Sequence, residues 1–236
     1  MRASTTTTVL AASALVLAAC TAAPGDAPST PEPSAPAPST SAATPAPGDP
    51  AAALPTDAPA DVLLPAGAWG GEGGRDEAEG VADWHLPEAC ADGGPADATA
   101  MRTATEGDGA AEGVVGVHQV AVFADADAAT AEAARLADLL AACAAQGGAE
   151  GTTYTAEPLD VGAQGSGLAT DYYGSGGSGD LDTALGTYLA TTRRGAAVTL
   201  VALDGGESTA GAARETVAEQ TRAAWELLCR YEQAGC

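Results

Sequence analysis

The chain has 236 residues, 32 Asp+Glu against 9 Lys+Arg, and a formal net charge of −23. That length accommodates one domain with extensions or two small domains. The charge argues against nucleic-acid binding, which needs clustered basic residues to displace phosphate counterions. Every basic residue is Arg, and Lys, Asn and Ile are all absent, a pattern of GC-rich coding that also removes Schiff-base lysines, Walker-type phosphate loops and Ser–Lys dyads.

In chain order, Arg2 precedes a Thr-rich stretch and the apolar run Val9–Ala18. The run is too short for a bilayer span, which needs about 20 apolar residues, and suits a signal-peptide core. It closes on Leu17-Ala18-Ala19-Cys20, which resembles a bacterial lipobox. Residues 1–19 are therefore expected to be a lipoprotein signal peptide and Cys20 the acylated residue. Each buried methylene of a lipid chain contributes about 0.8 kcal/mol, so two or three chains would hold the protein on the extracellular face of the membrane. The expected membrane contact is through that anchor alone.

Residues 20–60 read as a lipidated Cys followed by a disordered tether of Pro, Ala, Ser and Thr. Eleven of the 15 prolines fall there, with Leu54 the one large apolar residue. Residues 61–236 remain as one folded extracellular domain, long enough for a real core and holding all nine aromatic residues. Within it, residues 61–113 give only an apolar entry at Asp61–Pro65, a polar loop over 70–80 and an anchored turn at Trp84–Cys90.

Val114–Phe123 reads as a strand, and Asp125 or Asp127 caps a helix that runs through Ala145 to Gly147-Gly148. Leu136, Leu139, Leu140 and Cys143 share one helical face. Strands follow at Thr152–Ala156, Gly167–Tyr173, Thr183–Thr192 and Ala196–Leu203, the second and third joined by a Gly-rich tip at 174–180. A helix from about Ser208 to Glu232 ends the chain, with Val217, Thr221, Ala224, Trp225 and Leu228 on its buried face. Short connections between the middle strands predict an α+β fold: a twisted antiparallel sheet with helices packed on one face.

Without Cys20, four cysteines remain, and an even number in an exported domain predicts two disulfides among three possible pairings. Cys90–Cys143 with Cys229–Cys236 is preferred, closing loops worth roughly 4 and 2.5 kcal/mol on the chain-entropy model. No C-x-x-C pair occurs, and neither histidine stands at ligand spacing from a cysteine, so no zinc site, metal or cofactor is expected.

The catalytic signals are weak. Gly174–Gly179 matches G-x-G-x-x-G formally, but a strand rather than a helix follows it. Gly206–Ala210 only approaches the G-x-S-x-G elbow, and Ser208 is better read as a helix N-cap. Asp125-Ala126-Asp127 lacks the glycine and closing glutamate of a calcium loop. His118 on its strand reads as a core histidine and His85 as a packing residue beside Trp84. No catalytic residue is assigned.

A lipobox, a Pro-rich tether, and Val117–Phe123 running into an Ala-rich helix that ends in Cys143 make a recognisable combination. With a strand-rich middle and a final Cys-bearing helix, it resembles the extracellular sensor domain of the PknH-type Ser/Thr kinases of actinobacteria, and the stand-alone lipoproteins that share it. Over residues 61–236 the resemblance implies a twisted antiparallel sheet with helices, two disulfides and a cleft for an extracellular ligand. It transfers no binding residue. The resulting expectation is a lipid-anchored, non-catalytic domain that recognises an unidentified envelope ligand or partner protein. A structural or scaffolding lipoprotein is the first alternative, and an envelope hydrolase using His85 or His118 the second.

Overall fold

The computed structural model describes residues 53–232, apart from 71–72, 91–92, 111–112, 176–179 and 207. The expected signal peptide, Cys20, most of the tether, the centre of the Gly-rich tip and Cys236 lie outside the described residues. A seven-stranded sheet and two α-helices make up the fold. Strands β1 (Arg75–Glu79), β2 (Ala98–Glu106) and β3 (Val114–Phe123) precede helix α1 (Ala126–Gln146). Then come β4 (Thr153–Pro158), β5 (Ala163–Asp171), β6 (Gly186–Arg194), β7 (Ala197–Gly205) and helix α2 (Ala210–Leu227). Sheet order is β1-β2-β3-β7-β6-β5-β4, antiparallel throughout, so the α+β class and antiparallel sheet follow the expectation.

The helices, expected on one face, lie on opposite faces. Alternation along β7 sends Val198, Leu200 and Ala202 to one side, where they cluster with Ala133, Leu136 and Leu140 of α1. Val201 and Leu203 point the other way, to Ala213, Val217 and Ala224 of α2. The central strands β6 and β7 are buried on both faces, which leaves no solvated side for a two-layer arrangement. Full burial of Leu136 and Leu140 contributes about 1.5–3 kcal/mol each.

Local chemistry sets the helix ends. Asp125 accepts the Ala128 N–H at 2.8 Å as the N-cap of α1, and Gly147, at φ 69°, stops it. The N-cap of α2 is Thr209, which accepts the Ala212 N–H at 3.2 Å. Ser208 does not take that role: its hydroxyl is buried and makes no hydrogen bond to the helix. A 3-10 turn, Leu228–Tyr231, continues α2. Trp225 is only half-buried, and Arg194 stacks over its ring at 4.0 Å.

The region that the sequence left open contains two strands. β1 forms inside the expected polar loop, and its charged residues blunt a sheet edge against pairing with other chains. The folded unit also takes in the end of the expected tether. The Asp57 carbonyl accepts the Tyr231 hydroxyl at 2.7 Å, and the Ala58 carbonyl accepts Arg102 Nε–H at 2.9 Å.

Candidate functional site

The segment between β1 and β2 is irregular but held along its length. Gln119 on β3 accepts the His85 N–H at 2.7 Å and donates to the Asp83 carbonyl at 3.1 Å. Buried Trp84 donates its indole N–H to Glu132 of α1 at 2.7 Å, and Arg135 holds that carboxylate through two bonds of 2.8 Å. Cys90, in a short 3-10 turn, is joined to Cys143 near the end of α1, with Cα atoms 5.2 Å apart. These attachments fix His85, between Trp84 and Leu86, over the α1 side of the sheet.

Beneath it runs a cross-strand row. Tyr154 on β4 faces Thr170 on β5, which faces Thr187 on β6. One step beyond the Tyr188–Leu203 pair, the antiparallel register sets Asp204 of β7 next to Thr187. The row, with Leu86, Pro87, Tyr172 and Leu189, lines a cavity of about 310 Å³. Across it, His85 Nε2 is paired with Asp204 Oδ2. That hydrogen bond raises the His85 pKa above the ordinary histidine value, against a partial opposing effect of burial. Burial raises the Tyr172 pKa; a hydrogen bond with Thr187 opposes the rise and the Asp204 charge adds to it.

A His–Asp pair is two-thirds of a hydrolytic triad, but among the described residues no serine or cysteine lines this cavity. Its hydroxyls belong to threonines and tyrosines, and none stands on a nucleophile elbow. The arrangement suits holding a ligand through hydroxyls, an imidazole N–H and a carboxylate, with aromatic and aliphatic walls.

His118 lies on the opposite face and does different work. Its Nδ1 accepts the Leu64 N–H at 2.9 Å, which places the proton on Nε2 for donation to Thr199 Oγ1 at 2.9 Å. Thr199 in turn donates to the Gln119 carbonyl at 3.0 Å. Burial, with a smaller contribution from the Arg75 charge, lowers the His118 pKa to about 3. A neutral, fully bonded imidazole is a structural clasp between the chain entry and the sheet. The two histidines are thus separated by the sheet and share no site.

Cys229 is also disulfide-bonded. A hollow of about 690 Å³ opens where residues 53–56 enter, but Asp125 in its wall is committed to capping α1 and Arg193 to Gln164 and the Gly195 carbonyl. Among the described residues no group of three His, Cys, Asp or Glu side chains could hold a metal ion, and no helix is long and apolar enough to cross a membrane.

The sequence analysis named His85 but neither Asp204 nor the row of hydroxyls. One signal was present, since Asp204 is the only charged residue in the Ala197–Gly205 strand.

No protein-family profile and no curated protein sequence matches this chain. Among solved structures, the extracellular domain of PknH from Mycobacterium tuberculosis is similar to it at a TM-score of 0.45 and 15% identity, over 69% of this chain and 92% of that one. The likeness is one of partial chain trace, and no residue role passes from it to this protein.

Proposed function

We propose that this protein is a lipid-anchored extracellular recognition domain, non-catalytic, whose ligand lies over the His85–Asp204 pair. The cavity carries the reading: a wall pinned through Gln119, Glu132 and the Cys90–Cys143 bond presents converging polar groups, with no serine or cysteine among the described residues that line it. Cys20 and the Pro-rich segment after it support the anchor and spacer part of the reading. The full chain, exposed to an extract of bacterial envelope and examined by native mass spectrometry, should carry one discrete small adduct that Asp204→Ala loses. No adduct on either form, or one unaffected by the substitution, overturns the assignment. Replacing Cys20 by Ala should release the chain from the membrane fraction, and unchanged partition would remove the lipid anchor from the reading.

The His85–Asp204 pair also favours a second reading, an envelope hydrolase with His85 as base. It requires turnover of an ester or amide that is abolished in His85→Ala, and ligand binding without turnover rejects it.

A further inference from the structure

The chemistry of the groove narrows its ligand, on the premise that it is a recognition site. The His85 cavity adjoins a hollow of about 660 Å³ with which it shares Thr152, Tyr154 and Tyr172 in its wall, and the two are taken together as one groove. The outer half adds Glu88, Glu150 and Tyr173, the last 71% exposed. Among the described residues no arginine lines either half, and the charged side chains along the groove are Glu88, Glu150 and Asp204, with His85 the one base.

Three physical effects act in the same direction. A chain of net charge −23 repels anions and concentrates cations at a concave surface. Phenol faces attract cations, more strongly where the contact is desolvated. Glu88 and Glu150 at one end add Coulombic attraction, and Asp204 at the other adds it where its partner His85 is neutral. A hard metal ion wants several oxygen ligands at once, and the described residues offer no such cluster. An ammonium on a carbon skeleton needs no cage of that kind, and its alkyl part suits tyrosine walls with Leu86 and Pro87.

We infer that the groove binds an organic cation, an amine-bearing chain extended from the His85–Asp204 end to the Glu88–Glu150 end. His85 tunes the inner end. Besides Asp204, the titratable groups facing its cavity are Tyr154 and Tyr172, while the Tyr188 hydroxyl turns away to Glu157, and Glu88 shares its segment. Protonated His85 neutralises Asp204; neutral His85 leaves the carboxylate's charge for the ligand.

Isothermal titration of the full chain with spermidine and choline, against maltotriose as a neutral probe and citrate as an anionic one, tests this. At least one cation should bind, more weakly at physiological than at low salt. Tyr172→Ala and Glu150→Gln should each weaken it about tenfold, while Glu215→Gln on α2 leaves it unchanged. Equal weakening by Glu215→Gln would mean diffuse counterion attraction and overturn the inference. Binding of maltotriose or citrate in place of the cations would overturn the ligand class and leave the recognition reading standing. An envelope adduct without a basic nitrogen would do the same. No probe bound and no envelope adduct would overturn both.

Discussion

At the residue scale, two histidines of one chain are driven in opposite directions, and each shift carries its own stability signature. His118 is held neutral, with a folded pKa of about 3 against about 6.5 in the unfolded chain. Its contribution is therefore intact above pH 6.5 and is lost progressively as pH falls toward 3, at about 1.4 kcal/mol per pH unit. In His118→Gln, whose amide can accept from Leu64 and donate to Thr199 without titrating, chemical denaturation between pH 7 and 5 should show a shallower loss than in the parent. An unchanged slope would mean that His118 protonates freely in the folded state. His85 has the opposite sign. Its folded pKa is raised by Asp204, so its stabilisation is present below pH 6.5 and is lost as pH rises through the folded value. An NMR titration should place the His85 imidazole above its unfolded value, and Asp204→Asn should bring it down. A midpoint indifferent to that substitution would mean that Asp204 is not its partner.

At the element scale, the site depends on a segment with no secondary structure beyond a single 3-10 turn. What orders residues 83–90 is attachment: Gln119 from β3, Glu132 from α1, and the disulfide to Cys143. That bond spans 53 residues, and a loop of that size is worth about 4 kcal/mol on the chain-entropy model. The double variant Cys90→Ala/Cys143→Ala should lose about that much stability and also return the His85 pKa toward 6.5, because the clamp on its segment is gone. A loss of stability with no change in the His85 titration would show that Gln119 and Trp84 suffice to hold it. The strand β2 explains why this region resisted reading. Ala98–Glu106 is built of small and polar residues, with Met101 its only large apolar side chain, and becomes a strand through pairing with β1 and β3.

At the scale of the whole molecule, the excess of acidic charge governs behaviour. Net −23 over this chain means self-repulsion that salt should relieve, since the Debye length is about 8 Å at 0.15 M. The thermal midpoint should therefore rise with sodium chloride; about 1 kcal/mol of relief corresponds to about 2–4 °C at this size. A falling midpoint would show that ion pairs such as Arg214–Glu157 and Arg194–Glu232 outweigh repulsion. The sequence by itself determined what is local and periodic: β3, the cap and apolar stripe of α1, the approximate positions of β4 to β7, the course of α2, and the α+β class. Each follows from residues within one or two turns, or from alternation along one strand, and needs no knowledge of distant partners. Only the tertiary structure decided the rest. The helices lie on opposite faces because β6 and β7 are apolar on both sides, a fact that strand periodicity alone assigns to no particular cover. The candidate site likewise joins His85 to Asp204 across 119 residues, through a sheet order in which β3 pairs with β7. Register and sheet order, not residue type, brought that carboxylate beneath that imidazole.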